Sequence, residues 1–167
     1  MIDTLETVMK AYLAGYMQGT VIEQCAAWRK KIRKHYENWK GSGKPYPVSF
    51  LDPMNGENWA EISPDGLKGE LPAHTVIHKD YRVVEICDLI IANMDTFGQD
   101  RPLLGTICEL AWGWQMHKPI IMITTEDKYR LHPFLQYFSS WIVSSVDELL
   151  EKKIINQFYK SFNSARY

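Results

Sequence analysis

The sequence predicts an α/β fold with a five-stranded parallel sheet and helices on both of its faces. Short apolar segments alternate with helical patterns along the chain, as expected for strands that are joined by crossover helices. Two of these segments, 88–93 and 120–123, contain continuous apolar runs, which are typical of strands covered on both faces. No internal repeat or linker-like stretch interrupts the alternation. Residues 1–167 are therefore predicted to form one flavodoxin-like domain.

The first part of the chain predicts two strands with a helix between them. The strands are Val8 to Gly15 and Val48 to Leu51. The segment Thr20-Val21-Ile22-Glu23 has the form of a capping box, which opens a helix. That helix has an apolar residue every three or four positions: Val21, Cys25, Trp28, Ile32, Tyr36 and Trp39. It is expected to end at Gly41-Ser42-Gly43, where two prolines follow.

The second part of the chain starts with a long segment, Met54 to Pro72, which is predicted to be a surface loop. Its Gly, Pro, Asn and Asp residues show no convincing periodicity, and loops of this length are often functional. Then we expect, in order, helix 74–87, strand 88–93, helix 105–117, strand 120–123, helix 129–138 and strand 141–143. A second capping box, Ser145 to Glu148, predicts one final helix. Its apolar stripe is Val146, Leu149, Leu150, Ile154, Phe158 and Phe162.

Composition and charge exclude several classes of function. The hydrophobic fraction of 46% and the charged fraction of 23% are those of an ordinary globular protein. A formal net charge of -1 provides no basic field for a polynucleotide, so a small molecule is the expected ligand. The three cysteines lie far apart in the sequence, which fits a reducing compartment. With neither a signal-peptide pattern nor an apolar run of about 20 residues, the chain is expected to be cytoplasmic and free of membrane contact.

The fold class predicts where a ligand would bind. In an open parallel sheet, ligands lie beyond the carboxyl ends of the strands. Six polar residues are predicted to converge there: Tyr12, Asp52, Asn93, Asp95, Asp100 and Glu109. Two aspartates are nearby possibilities, Asp80 on the preceding helix and Asp88 at the start of a strand.

Glu109 has two interpretations. Thr106-Ile107-Cys108-Glu109 has the form of a capping box, so the glutamate could simply cap a helix. Alternatively, a carboxylate in a first helical turn is favoured in its ionised form by the helix dipole, and it could attack a sugar carbon. Position in the sequence alone does not separate the two interpretations.

Three other local patterns do not indicate a functional site. Gly41-Ser42-Gly43-Lys44 resembles a phosphate-binding loop, but Pro45 stands where Ser or Thr is needed, which favours a turn. His74 and His78 lie four residues apart without the glutamate of a metalloprotease motif, so no metal site is predicted. The basic run from Arg29 to Lys34 is interpreted as a solvated helix face.

The motifs, taken in order, resemble the nucleoside 2-deoxyribosyltransferase family over nearly the whole chain. The first is Tyr12-Leu13-Ala14-Gly15 at the end of the first strand, and Asp80 lies eight residues before the apolar strand that starts at Asp88. Gly105-Thr106-Ile107-Cys108-Glu109-Leu110-Ala111 and Lys118-Pro119 follow, and the sequence ends on Tyr167. Each motif is short, and the order and spacing together make the resemblance specific.

The resemblance implies a chemistry and a role for each matching residue. Members of the family exchange the base of a 2'-deoxynucleoside through a covalent deoxyribosyl ester, without a metal or an organic cofactor. Glu109 would be the nucleophile, Tyr12 would orient it, and Asp80 would transfer the proton of the leaving or entering base. Tyr167 matches a terminal tyrosine that reaches into the site in some members. The implied substrate-binding residues are Gly15, Asp52, Asn55, Asn93, Asp100 and Gly105.

The chain departs from the family pattern at several positions. Well-known transferases of the family have an aspartate six residues before the nucleophile, where this sequence has Leu103. Related nucleotide N-glycosidases hold a 5'-phosphate with residues at three positions. This chain has Tyr16, Gln18 and Leu103 at those positions. These differences favour an unphosphorylated substrate, although Arg101 could still supply a phosphate contact. The asparagine that the family contributes across a subunit boundary has no clear counterpart near residues 132–137.

Three functions remain open at the level of the sequence. The first is transfer of 2-deoxyribose between nucleobases in nucleoside salvage, with a deoxynucleoside and a free base as small-molecule partners. The second is an N-glycosidase on the same scaffold, with water as the acceptor of the sugar. The third is a non-catalytic nucleotide-sensing domain, because a fold does not imply a function. The resemblance also implies a homo-oligomer, from dimer to hexamer, with shared active sites. Trp112, Trp114, Phe134, Tyr137 and Phe138 would suit such an interface.

Overall fold

A computed structural model describes residues 8–17, 22–37, 47–55, 61–63, 66–68 and 72–164. The strands are β1 (Met9–Gly15), β2 (Val48–Leu51), β3 (Glu61–Ser63), β4 (Gly66–Lys68), β5 (Leu89–Asn93), β6 (Ile120–Ile123) and β7 (Trp141–Val143). The helices are α1 (Ile22–Glu37), α2 (Ala73–Ile86), α3 (Leu104–Gln115), α4 (Asp127–Arg130), α5 (Pro133–Phe138), α6 (Val146–Glu151) and α7 (Ile154–Ser164). None of the described helices is long and apolar enough to cross a membrane.

Five strands form one parallel sheet in the order β2-β1-β5-β6-β7. Counting only these five strands along the chain, the order is 2-1-3-4-5, which is that of flavodoxin-like folds. The predicted α/β fold class is therefore confirmed. Strand β1 lies between β2 and β5, and its register aligns Tyr12 with Leu51 on one side and Ile90 on the other. The carboxyl ends of β1 and β5 lie side by side, where Gly15 pairs with Asn93.

The two faces of the sheet bury separate apolar cores. Helices α1, α6 and α7 cover one face, where Trp28, Ile32 and Leu149 pack against alternate residues of the strands. Helices α2, α3 and α5 cover the other face, over the intervening residues such as Ile90 and Met122. Tyr12 belongs to this second core. Because side chains alternate along a strand, the continuous apolar segments of the sequence supply both cores at once.

Three sequence-based boundaries were wrong. Residues 54–72 are not all loop, since β3 and β4 pair in an antiparallel hairpin within them. The helix predicted over 129–138 is two short helices, because Pro133 cannot continue the hydrogen bonding of α4 and instead begins α5. The final helix is also divided into α6 and α7, because Lys153 adopts a left-handed conformation with φ of 50° between them. Its predicted cap is present, as the Ser145 hydroxyl accepts the backbone N–H of Glu148.

Candidate active site

Glu109 and Tyr12 form a buried pair between α3 and β1. The Tyr12 hydroxyl donates a hydrogen bond of 2.7 Å to Oε1 of Glu109. Four residues of α3 are buried at a spacing of three or four, Thr106, Glu109, Leu110 and Gly113, and this spacing turns Glu109 towards the sheet. Tyr12 is fully buried and Glu109 is 8% exposed. The pair therefore links strand β1 to the helix that covers it.

The capping-box interpretation of Glu109 was wrong. Helix α3 begins at Leu104, its N-cap is Leu103, and no side chain caps it. Glu109 consequently lies in the second turn, beyond the first-turn position where a capping side chain reaches the free N–H groups. The helix dipole does not keep this carboxylate ionised either, because its effect falls off within the first turn.

Burial dominates the protonation of Glu109. The pKa of this carboxyl is raised to about 8, mainly because the group is removed from water, and the nearby charge of Asp80 contributes to the rise. The hydrogen bond from Tyr12 and the charge of Arg29 act in the opposite direction and lower the pKa. Burial and the charge of Glu109 also raise the pKa of Tyr12 well above its ordinary value, so the phenol stays a proton donor. The site therefore contains a buried carboxyl group with a raised pKa, and the Tyr12 hydroxyl donates a hydrogen bond to it.

Asp80, on α2, is the second acid near this pair. Its charge raises the pKa values of both Glu109 and Tyr12. It lines a cavity of about 260 Å³ together with Glu109. The cavity is also lined by Gly15, Tyr16, Met17, Arg101, Pro102, Leu103, Leu104, Gly105 and Thr106. Two acids on different helices thus face one cavity at the carboxyl end of β1.

Arg29 is fully buried beneath this end of the sheet, so its assignment to a solvated face was wrong. Its Nε and Nη2 atoms each donate at 3.2 Å, to the carbonyl oxygens of Leu13 and Gly15 respectively. Its Nη1 atom donates to the carbonyl oxygen of Cys25 at 2.6 Å, and Nε lies 3.6 Å from Oδ1 of Asp52. Burial lowers the pKa of Arg29, and the charge of Asp52 opposes that change.

Two predicted base-contacting residues belong to this ion-pair cluster. Asp52 is almost fully buried and also lies 3.5 Å from Nη1 of Arg33, and Asn55 accepts from the same nitrogen at 3.2 Å. Neither lines the cavity that contains Glu109. Their role in substrate binding stays a prediction, whereas their role in joining β2 to α1 is visible in the contacts.

The remaining sequence-predicted residues occupy different places. The Asn93 side chain accepts from the backbone N–H of Asp95, and Asp95 accepts from that of Phe97, so both shape the loop after β5. Asp88 accepts from the backbone N–H of Lys10 at the amino end of the sheet, away from the cavity. Gly15 and Gly105 line the cavity. Tyr167 and Gln18 lie outside the described residues.

A larger cavity of about 560 Å³ adjoins the first, since Arg101 and Pro102 line both. Its walls are mainly apolar side chains from α3, α4 and α5, including Ile107 and Leu135. Asp100 lines this cavity and not the one that contains Glu109.

The described residues contain no group of three or more His, Cys, Asp or Glu that could hold a metal ion. The rings of His74 and His78 contact each other with centroids 4.6 Å apart. Both histidines are exposed on α2.

Three residues near the site were not among the site residues predicted from the sequence. Arg29 lies on the apolar face of α1, four residues after Cys25 and three before Ile32, so its spacing could have marked it as buried. Thr106 lies three residues before Glu109 and shares its face of α3. Tyr16 follows the motif of the first strand directly, and no pattern in the sequence distinguishes its hydroxyl from that of a core tyrosine.

Comparison with solved structures finds the same fold at low sequence identity. The CMP N-glycosidase of Clostridium botulinum is 18% identical with a TM-score of 0.53, over 88% of this chain and 98% of that one. A molybdenum cofactor binding protein of Rippkaea orientalis is 17% identical with a TM-score of 0.53, over 89% and 98%. The 2-desoxiribosyltransferase from Leishmania mexicana is 21% identical with a TM-score of 0.49, over 73% and 71%. None of the curated proteins compared with this sequence matches it.

A family model provides the assignment. The model described as nucleoside 2-deoxyribosyltransferase matches residues 12–163, which begins at Tyr12 and spans both carboxyl groups of the cavity. This match covers most of the chain, and it confirms the resemblance that the sequence motifs indicate. The chain belongs to the nucleoside 2-deoxyribosyltransferase family.

Proposed function

We propose that this protein transfers 2-deoxyribose between nucleobases through a covalent ester on Glu109. The observation that carries the proposal is the buried Glu109 carboxyl, fixed at 2.7 Å by Tyr12 and facing a cavity that Asp80 also lines. A nucleophile and an acid are the two groups that cleavage of an N-glycosidic bond requires. The match of the family model over 12–163 supports treating residues 1–167 as one catalytic unit.

In the first step, the Glu109 carboxylate attacks the anomeric carbon of the deoxynucleoside. The bond from that carbon to the base nitrogen breaks, and its electron pair goes to the base, which takes a proton from Asp80. The transition state resembles an oxocarbenium ion, so the negative charge of Glu109 stabilises it before the ester forms. Tyr12 acts as a positioning residue, because its hydrogen bond fixes the orientation of the attacking carboxylate.

In the second step, an incoming base attacks the anomeric carbon of the ester. Asp80, now ionised, takes the proton from the nitrogen of this base, and Glu109 leaves as the carboxylate. The cycle restores both acids to their starting states, and no redox partner or cofactor takes part. An acid that gives a proton to the leaving base and then takes one from the incoming base satisfies the symmetry of a transfer between two bases.

We propose an unphosphorylated 2'-deoxynucleoside as the donor. Tyr16 and Leu103 replace residues that hold a 5'-phosphate in related nucleotide N-glycosidases, and both line the cavity. Arg101 also lines it and is the cation that a phosphate would meet, so monophosphates are the alternative donor to compare.

The second candidate is hydrolysis of a (deoxy)nucleoside or nucleotide on the same scaffold. Leu103 favours it, because this fully buried side chain stands where well-known transferases have an aspartate. The cavity therefore has one acid fewer to receive an incoming base, and water could take its place. The CMP N-glycosidase named above shows that this fold is compatible with such a reaction.

An exchange assay decides between transfer and hydrolysis. The protein is incubated with a deoxynucleoside, with and without a second free base, and the products are separated by chromatography. Transfer predicts a new deoxynucleoside that contains the second base; release of free sugar and base, unchanged by the acceptor, would establish hydrolysis instead. Glu109→Gln should abolish both products, and Glu151→Gln, at an exposed position on α6, is the matched control.

We also propose that the protein is a cytoplasmic homo-oligomer. Trp114, Phe134 and Tyr137 are large aromatic side chains that are 45%, 66% and 74% exposed. The ring of Trp114 lies 5.8 Å from that of Tyr137 and 5.4 Å from that of Phe138, so the aromatics form one patch. Such patches are typical of protein interfaces. Light scattering after gel filtration should give a multiple of the chain mass, and Tyr137→Glu should lower it; a monomeric wild-type protein would refute the proposal.

A further inference from the structure

Thr106 lies on α3 one turn before Glu109 and faces the same cavity. The two residues are three positions apart, so their side chains share one face of the helix, with Cβ atoms about 5–6 Å apart. Thr106 is 5% exposed, and it lines the cavity of about 260 Å³ together with Glu109. A second polar side chain of α3 therefore stands beside the proposed nucleophile, on the side that faces the cavity.

The hydroxyl of Thr106 is open to this cavity. A serine or threonine in a helix often donates to the carbonyl oxygen four residues earlier, as Ser139 does to Leu135 at 2.7 Å. Among the described residues, none forms a hydrogen bond with the Thr106 hydroxyl, and its oxygen is not one of the buried atoms that are sealed without a partner. The hydroxyl is thus accessible from the cavity and available to a ligand.

The cavity extends from Glu109 towards the amino end of α3. The other residues of this helix that line it are Leu104, Gly105 and Thr106, which all precede Glu109. Residues 110–115, which the structure describes, do not line it. A sugar that Glu109 attacks within this cavity consequently lies over the first turn of α3, next to Thr106.

The stereochemistry of the proposed attack decides which substituent of the sugar meets Thr106. In a β-nucleoside, a nucleophile that displaces the base attacks C1' from the opposite face of the sugar. In ribose, the 2'-hydroxyl lies on this attacked face, on the carbon next to C1'. In 2'-deoxyribose that position carries only hydrogen, and in arabinose the hydroxyl points to the face of the base. Hydrogen bonds to the hydroxyl beside the anomeric carbon strengthen in the transition state of glycosidases.

We propose that the Thr106 hydroxyl binds the 2'-hydroxyl of a ribonucleoside, so that the site cleaves ribonucleosides as well as 2'-deoxynucleosides. The inference rests on the proposed function, which puts C1' at Glu109. A hydroxyl both donates and accepts hydrogen bonds, so it suits another hydroxyl. The reaction is otherwise the same: the bond from C1' to the base nitrogen breaks, the base takes a proton from Asp80, and Glu109 forms the ester. Thr106 is a specificity-determining residue in this account.

Three donors that differ only at C2' test the contact. Wild-type protein, Thr106→Val and Thr106→Ser are each assayed for base release from a matched ribonucleoside, 2'-deoxynucleoside and arabinonucleoside. We expect Thr106→Val, which keeps the shape and removes the hydroxyl, to lower kcat/KM for the ribonucleoside by about 5- to 20-fold, the value of one hydrogen bond. For the other two donors kcat/KM should change by no more than about twofold, because neither presents a hydroxyl to Thr106. Thr106→Ser keeps the hydroxyl and should retain most of the ribonucleoside activity.

Equal losses on all three donors would overturn the inference, because they would indicate a structural role or a contact with the 3'-hydroxyl, which all three donors share. An unchanged rate with the ribonucleoside would also overturn it, as would a wild-type protein that cleaves the 2'-deoxynucleoside and not the ribonucleoside. The proposed function survives each of these results, since it fails only if wild-type protein releases no base from any deoxynucleoside. Urea midpoints verify that the Thr106 variants are folded, and Glu151→Gln on α6 should match the wild type on every donor.

Discussion

At Glu109, two opposing influences act on one side chain. Its pKa is raised to about 8, because the effect of burial outweighs the hydrogen bond from Tyr12 and the charge of Arg29, which both lower the pKa. An attacking carboxylate must be ionised, but a strongly solvated carboxylate would be a weaker nucleophile. The balance leaves a little-hydrated group that ionises at about pH 8.

The first prediction concerns the dependence of activity on pH. Because kcat/KM reports groups of the free enzyme, it should rise with pH up to about 8 as Glu109 ionises. Tyr12→Phe removes a hydrogen bond that lowers the pKa of Glu109, so its acid limb should move to higher pH. Initial rates from pH 5 to pH 10 test both statements; a wild-type acid limb near the ordinary carboxyl pKa would contradict them.

The second prediction concerns stability. The folded state holds the Glu109 proton more tightly than the unfolded state, so wild-type protein should lose stability as pH rises from about 4.5 to about 8. The loss attributable to this group is at most about 1.4 kcal/mol per pH unit. Glu109→Gln should lack this loss. Urea unfolding at pH 6 and pH 9 measures the difference, and Glu151→Gln should behave as the wild type.

At the scale of elements, α3 positions Glu109 through its contact with β5. Gly113 lies one turn after Glu109, and a Cβ atom there would lie 2.3 Å from Cδ1 of Ile90, which is fully buried. Gly113→Ala should therefore push α3 away from the sheet, lowering the free energy of unfolding by about 1–3 kcal/mol and reducing activity by lengthening the Tyr12–Glu109 hydrogen bond.

Gly105→Ala is the matched control for stability on the same helix. A Cβ atom at Gly105 has no heavy atom within 4 Å among the described residues. This variant should gain about 0.5–1 kcal/mol from the better helix propensity of alanine. Urea unfolding of the two variants tests the account, and equal stability changes would show that α3 does not rest closely on β5.

The cluster around Arg29 joins β1, α1 and β2. Asp52→Asn removes the carboxylate that compensates a fully buried guanidinium, and it should destabilise the protein by about 3–5 kcal/mol. Arg33→Met, which removes the more exposed partner of Asp52, should cost no more than about 1 kcal/mol. Thermal unfolding of both variants distinguishes them. A stable Asp52→Asn protein with a raised KM would favour the sequence-based role of Asp52 in binding the base.

At the scale of the whole molecule, the sequence predicted the sheet and its two cores because apolar runs and helical stripes report directly on burial. The break between α6 and α7 was not predicted, because it depends on the backbone conformation of a single residue. The apolar spacing from Val146 to Phe162 continues through Lys153, whose left-handed backbone has no signature in that pattern.

The order of the motifs in the sequence predicted which residues belong to the site. How these residues are arranged in space is visible only in the folded structure. Tyr12 and Glu109 are 97 residues apart in sequence, so their hydrogen bond is invisible to any local pattern. The pairing of Arg29 with Asp52 is hidden for the same reason, although the spacing of Arg29 on the apolar face of α1 is compatible with its burial.

The central claim is a covalent bond between Glu109 and the sugar. The most direct measurement is the mass of the intact protein, denatured by acid within seconds of mixing with excess 2'-deoxynucleoside and no acceptor base, followed by peptide mapping. The proposed mechanism predicts a mass increase of one deoxyribosyl group, located on Glu109, absent in Glu109→Gln and removed when an acceptor base is added. Release of base at the full rate without any adduct, or an adduct on another residue, would contradict it.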